Sequence, residues 1–166
     1  PGERRVQILQ ALAAMLEQPG AERVTTAALA ARLGVSEAAL YRHFASKAQM
    51  FEGLIDFIEQ SVFTLINQIT EREPAGPAQA GRIVAMLIQF AEKNPGMTRV
   101  MVGDALVFEN DRLQQRMNQF FDKVEASLKQ CLRTAADGVT PTVDASVRAS
   151  VLTAFIVGRL RRFARS

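Results

Sequence analysis

The side chains that could carry chemistry in this sequence are suited to binding rather than to catalysis. His43 is the only histidine and Cys131 the only cysteine, so a nucleophile–base pair or a metal cluster has little to draw on. No glycine-rich phosphate loop is present, and carboxylates such as Glu59 and Asp104 are scattered at ordinary helical surface spacing. We therefore expect no enzyme activity, no metal and no cofactor.

The stretch from Thr25 to Lys47, TTAALAARLGVSEAALYRHFASK, carries polar groups that suit DNA. Its pattern predicts two short helices around a tight turn at Gly34, the first capped by Thr25 or Thr26 and the second by Ser36. The outward face of the second helix is short, polar and lightly basic, as in a helix that reads the major groove. Predicted phosphate contacts are Thr25, Thr26, Tyr41 and Lys47; predicted base readers are Ser36, Glu37, Ala38 and Arg42; His43 is predicted to contact phosphate or end the helix.

Composition limits the class of protein. The chain has 166 residues, a net charge of +3 and an isoelectric point near 9.5, which permits a nucleic-acid partner without proving one. No stretch is apolar and long enough to cross a bilayer, and nothing resembles a signal peptide. A single cysteine fits a reducing cytosol, and we read Cys131 as a small buried hydrophobe. We expect a protein of the cytoplasm that is not bound to membrane.

Apolar residues recur at helical spacing along the chain, and no strand pattern competes with them. The predicted fold is all-α, with a helix-turn-helix head over residues 1–46 and a helical regulatory and dimerisation body over 47–166. Proline and glycine predict breaks. The predicted helices are Arg4–Glu17, the two in the head, Ser46–Arg72, one ending at Asn94, Met97–Ala105, Asp111–Arg133 and Thr142–Arg165; the predicted breaks are Pro19–Gly20, Glu71–Gly81 and Gly138–Thr142.

Two aromatic residues lie off the apolar stripe of the long fourth helix. At 100° per residue, Phe57 and Phe63 fall on opposite flanks of that stripe. Each is therefore part of a second packing face or of an exposed patch that awaits a partner, and periodicity alone favours packing for both.

The sequence resembles the TetR family of bacterial DNA-binding regulators. LYRHF followed by Ser46 and Lys47 is similar to the recognition-helix ending of that family. Two longer runs, VTTAALAARLGVSEAALYRHFASKAQMF and QFAEKNPGMTRVMVGDALVFENDRLQQRMNQFF, resemble its nucleoid occlusion branch, and the resemblance extends from about Arg4 to Arg165. It implies a C2 homodimer formed by the last two helices, which binds palindromic double-stranded DNA, with several dimers per site as a further possibility.

The same resemblance implies a second partner. Proteins of the nucleoid occlusion branch bind the C-terminal tail of the division protein FtsZ in a groove between the fourth and fifth helices, and antagonise its polymers. This sequence has Leu65 where a basic residue is usual in the branch, and Gln89 in place of a small residue. We also expect natural sequence ahead of Pro1 and the family's further segment after Ser166. The positions that match the tail groove are Phe57, Met86, Gln89, Lys93 and Asn94.

Two questions stay open at the level of sequence. The body could instead bind a small molecule, as in a ligand-responsive transcriptional repressor, although it lacks tryptophan and its only tyrosine lies in the head. DNA could activate the protein by ordering the heads and the fourth helix, or by clustering several dimers on one site.

Overall fold

The computed structural model describes residues 2–18, 23–135 and 141–166, and within these ranges it contains helices and no strand. A 3₁₀ turn, Asp104–Leu106, follows the sixth helix. No helix in the described ranges is long and apolar enough to cross a membrane. The helices are α1 Gly2–Leu16, α2 Thr26–Leu33, α3 Glu37–Tyr41, α4 Lys47–Arg72, α5 Pro77–Lys93, α6 Pro95–Met101, α7 Asp111–Ala135 and α8 Pro141–Ala164.

These residues form two compact units, which we describe separately. The first unit combines Pro1–Ile58 with Asn94–Met117, and the second combines Glu59–Lys93 with Asn118–Ser166. The head boundary at residue 46 stays a prediction.

The helix-turn-helix is held by the caps that its sequence predicts. The Thr25 side chain accepts a hydrogen bond from the Ala28 N–H at 3.1 Å, and Ser36 accepts one from Ala39 at 3.2 Å. Gly34 has a φ of 69°, and its N–H bonds to carbonyls at the end of α2. A residue with a Cβ would be strained in that left-handed conformation, so the glycine permits the tight turn between α2 and α3.

In the first unit, α1 and α6 make a close backbone contact. A Cβ added to Gly96 would lie only 2.0 Å from the carbonyl oxygen of Ala13. Arg99 donates a 2.8 Å hydrogen bond to the carbonyl of Leu16, in the last turn of α1 where carbonyls lack helical partners. Gly96 and Arg99 thus attach α6 to the helix that supports the helix-turn-helix.

In the second unit, the predicted apolar stripes form the core. Val62, Val124 and Leu128 are fully buried. Phe63 packs edge-on against Phe120, with ring centroids 5.6 Å apart, so its predicted packing role is confirmed. Cys131 is buried as predicted, and this burial raises the pKa of its thiol.

Two predicted boundaries are wrong. The loop predicted over Glu71–Gly81 is shorter than expected: α4 ends at Arg72, as predicted, but α5 already begins at Pro77, where a missing N–H costs nothing. Gln79 is buried there and donates hydrogen bonds to the carbonyls of Thr70 and Glu73, at 3.3 and 2.9 Å, which joins the two helix ends.

The short helix predicted over Met97–Ala105 is also displaced. It runs over Pro95–Met101, because Pro95 is favoured in a first turn and Gly103, with a φ of 90°, ends the helical path. The break predicted at Pro19–Gly20 lies outside the described residues, as does most of the one at Gly138–Thr142.

Candidate functional site

Three of the predicted DNA-binding residues are joined by hydrogen bonds between α2 and α3. The Thr26 hydroxyl donates a hydrogen bond to the Glu37 carboxylate at 3.0 Å, and the Tyr41 hydroxyl donates one to the Thr26 hydroxyl oxygen at 3.4 Å. Tyr41 remains 44% exposed. These bonds fix the two helices relative to one another and leave the phenolic group accessible on the surface where phosphate contacts are predicted.

The predicted base-reading residues lie at the surface of the same segment. Glu37, Ala38 and Arg42 are exposed, and Ser36 is exposed at the N-cap of α3. Because α3 ends at Tyr41, Arg42 occupies its C-cap and not its interior. An exposed arginine at the end of a short polar helix has the donors needed to reach guanine or phosphate.

The turn after α3 is supported by Arg5, a residue of α1. The Arg5 guanidinium donates a 3.2 Å hydrogen bond to the His43 carbonyl and lies 4.2 Å from the ring centroid of Phe44. His43 itself is half-buried. A cation over an aromatic ring is a stabilising arrangement, so Arg5 holds the end of the predicted reading helix in place.

Lys47 has a partner within the protein. Its ammonium nitrogen lies 2.9 Å from the Glu109 carboxylate, and the exposed fractions of the two side chains are 22% and 8%. Glu109 lies 62 positions away along the chain, so no local pattern could have predicted the pair. Two further ion pairs, Glu52 with Arg112 and Asp56 with Arg116, join the same stretch of α4 to the start of α7.

The predicted tail-binding residues on α5 lie along one side of that helix. Met86 is half-buried, whereas Gln89 and Lys93 are exposed. With 100° between successive residues, positions 86, 89 and 93 fall within an arc of about 60°. The second unit therefore presents these three side chains on a common face.

Phe57 and Asn94 belong to the first unit. Phe57 is 48% exposed, so the packing role favoured by periodicity is wrong within the described chain. Asn94 is half-buried at the start of α6, and its carbonyl accepts hydrogen bonds from the backbone and side chain of Thr98, both at 2.9 Å. It stays a prediction that one groove contains Phe57, Asn94 and the α5 residues.

Nothing in the described ranges points to a metal site, because they contain no cluster of three histidine, cysteine or carboxylate side chains. The chemistry that this geometry supports is recognition, by a polar helical surface in one unit and by a mixed apolar and basic helix face in the other.

Comparison with known proteins gives two family matches. Residues 8–54 match the model of bacterial regulatory proteins of the tetR family, and residues 78–166 match a tetracyclin repressor-like C-terminal domain of the SlmA-like type. The chain is 52% identical over 166 residues to the nucleoid occlusion factor SlmA of Marinomonas sp. (strain MWYL1), covering 99% of this chain and 84% of that protein. It is 53% identical to the SlmA of Escherichia coli O81 (strain ED1a), with 98% and 84% covered.

Solved structures show the same fold at much lower identity. A transcriptional regulator from Rhodococcus sp. RHA1 superposes with a TM-score of 0.75 at 19% identity, over 98% of this chain and 84% of that one. A TetR transcriptional regulator from Legionella pneumophila gives a TM-score of 0.69 at 16% identity, over 97% and 88%. These likenesses establish a TetR-like all-helical fold.

Proposed function

Because this chain belongs to the TetR family of bacterial regulatory proteins, in its branch of nucleoid occlusion factors, we propose that it acts through two linked binding events. One partner is specific chromosomal DNA and the other is the C-terminal tail of FtsZ. The DNA-bound protein would antagonise FtsZ polymerisation over the nucleoid and so inhibit division there. Its place of action would be the nucleoid, in the cytoplasm.

The observation that carries the DNA half of the proposal is the polar surface of α2 and α3. Thr26, Glu37 and Tyr41 are held together by hydrogen bonds at that surface, and Arg42 is exposed beside them. Thr25 and Ser36 are engaged as caps through their side chains, yet both remain exposed. A rigid helix pair with hydroxyl, phenol and guanidinium groups suits phosphate positioning with base readout by a few side chains.

The FtsZ half of the proposal is supported by the α5 face and by Phe57. Met86 offers an apolar contact and Lys93 a cation, which together suit a peptide of mixed acidic and apolar character. Phe57 is a large aromatic with almost half of its surface exposed, and aromatic residues are enriched in protein–protein interfaces relative to the rest of the surface.

We further propose a C2 homodimer, because two heads are needed to read two half-sites of a palindrome. The support lies in α8, where Val143, Val147, Val151 and Phe155 are spaced by four residues and are each more than half exposed. The residues of α8 on the opposite side, such as Ala149 and Ile156, are fully buried in the second unit. Most apolar side chains described in α7, such as Val124 and Leu128, are already buried within the chain, so the proposed interface depends mainly on α8.

The two binding events are coupled in one of two ways. If DNA orders a single dimer, the FtsZ tail must tighten DNA binding by the same factor, because coupling between sites is reciprocal. If DNA acts by gathering several dimers, the affinity of each dimer for the tail stays unchanged and only multivalent binding increases.

The experiment that tests this function is a map of the chromosomal sites that the protein occupies in growing cells. Many sites spread over the chromosome, with few near the terminus, are expected for a spatial regulator of division. One or two sites beside its own gene or a transporter gene would contradict the proposal and would favour a ligand-responsive repressor.

A further inference from the structure

A cavity of about 330 Å³ lies in the second unit between the C-terminal half of α4 and the start of α5. Its apolar wall consists of Leu65, Ile69 and Met86. The charged residues that line the cavity are Arg72, Arg82 and Glu73. Met86 is also one of the predicted tail-binding residues. The cavity is thus continuous, through this one side chain, with the α5 face assigned to the peptide.

We propose that this cavity takes the acidic part of the FtsZ tail, and that Arg82 and Arg72 bind its carboxylates. The inference deepens the function proposed above and rests on it. It adds two residues to the peptide site and states their role, which is selection for negative charge.

Helix geometry places Arg82 in line with the predicted residues. Positions 82, 86, 89 and 93 differ by four, three and four residues, so they fall within an arc of about 60° on α5. A peptide that contacts Lys93 and Met86 along this helix reaches Arg82 one turn further towards its N-terminus.

The two arginines also restore a charge that this sequence lacks at position 65. The nucleoid occlusion branch usually has a basic residue there, and this chain has Leu65. Arg72 follows Leu65 by seven residues, which is two helical turns, and lines the same cavity. Arginine presents a planar fork of donors that matches a carboxylate, so it can supply the positive charge that is absent at position 65.

Within the chain, Arg82 already forms an ion pair with Glu73, which would compete weakly with a carboxylate of the peptide. Its Nε lies 3.1 Å from the Glu73 carboxylate, and the exposed fractions of the two side chains are 66% and 30%. An exposed ion pair of this kind contributes little to stability, because water and salt screen both charges. A carboxylate of the peptide can therefore displace Glu73, whose own negative charge opposes the entry of an acidic ligand.

The test measures binding of a synthetic peptide with the sequence of the FtsZ C-terminal tail, by fluorescence anisotropy with specific DNA present. Arg82→Ala should weaken binding about tenfold, since a hydrogen bond to a charged group is lost. Glu73→Gln should tighten binding by roughly two- to fivefold, because it removes the competing carboxylate. Lys123→Ala is the matched control, since Lys123 also forms an exposed ion pair, with Glu59 at 3.7 Å, but does not line the cavity.

The opposite signs of the two variants separate recognition from structure. If Arg82→Ala and Glu73→Gln both weaken binding and both lower the melting temperature, the pair only holds helices together and the inference is overturned. A second peptide, with its carboxylates replaced by amides, should bind the Arg82→Ala variant and the parent protein equally. A tenfold difference that persists with the amide peptide would also overturn it.

Failure of this inference differs from failure of the proposed function. If the parent protein does not bind the peptide in the presence of DNA, the function itself is contradicted. If the parent binds, Phe57→Ala abolishes binding and Arg82→Ala binds as well as the parent, then only the acidic subsite is wrong.

Discussion

At the scale of single residues, the ammonium group of Lys47 has a carboxylate partner inside the protein and a predicted phosphate partner on DNA. Glu109 is only 8% exposed, so removing Lys47 alone would leave a buried carboxylate without its cation. Such a loss can cost several kcal/mol in folding free energy, which would obscure any effect on DNA binding. The role of Lys47 in DNA binding therefore has to be measured where Glu109 carries no charge.

We expect Lys47→Ala, made in a Glu109→Gln protein, to weaken binding to all DNA sequences alike. The slope of log affinity against log salt should fall by about one unit, because one phosphate contact is lost. The comparison is with the Glu109→Gln protein by itself, on a specific and a random duplex at several salt concentrations. A loss confined to the specific duplex would contradict the phosphate role and make Lys47 a base reader.

Phe57 and Phe63 lie on opposite flanks of one helix and should respond differently to the same truncation. Phe57→Ala should change the free energy of unfolding by no more than about 0.5 kcal/mol, because the ring is already half exposed. It should leave DNA affinity intact and remove inhibition of FtsZ assembly. Phe63→Ala, which breaks the contact with Phe120, should cost roughly 2–4 kcal/mol.

Light scattering of FtsZ assembly and chemical denaturation of each variant provide these measurements. A Phe57→Ala protein that unfolds, or that still inhibits FtsZ when bound to DNA, would remove Phe57 from the peptide site.

At the scale of elements, the contact between α1 and α6 depends on a missing side chain. Gly96→Ala should lower the free energy of unfolding by about 1–3 kcal/mol, because a Cβ would overlap the Ala13 carbonyl and the backbones must move apart. Gly81→Ala is the control, since nothing lies within 4 Å of a Cβ there and alanine is the better helix former. Equal stability of the two variants would show that α6 does not approach α1 so closely.

The elements also show where sequence reasoning succeeds and where it fails. Thr25 and Ser36 were predictable as caps because each bonds to an N–H three residues away, so the signal is local. The start of α5 is harder to predict, because Pro77 suits both a loop and the first turn of a helix, and the structure adds hydrogen bonds from Gln79 to carbonyls across the break. Two contacts join segments that are far apart in sequence: the Lys47–Glu109 ion pair and the approach of Gly96 to Ala13. Neither contact can be inferred from composition or periodicity.

At the scale of the whole molecule, α8 has two apolar sides. One contributes buried residues such as Ala149 and Ile156 to the second unit, and the other presents Val147, Val151 and Phe155 to the surface. A helix that is apolar on two sides is typical of one that packs on its own chain and on a partner. In a C2 dimer the same stripe meets its own copy, so every substitution in it acts twice at the interface.

We expect Val151→Asp to convert the dimer to monomers, because a carboxylate from each chain would be desolvated near its symmetry copy in the interface. The loss should extend to DNA, since a dimer binds its second half-site as an intramolecular step that strengthens binding by about 100-fold or more. Analytical ultracentrifugation and binding to a palindromic duplex check the two effects. Ser150→Asp, which adds the same charge on a flank of α8, should leave both properties nearly unchanged. Since most apolar side chains described in α7 are already buried, a Val151→Asp protein that remains dimeric would contradict an interface centred on the exposed stripe of α8.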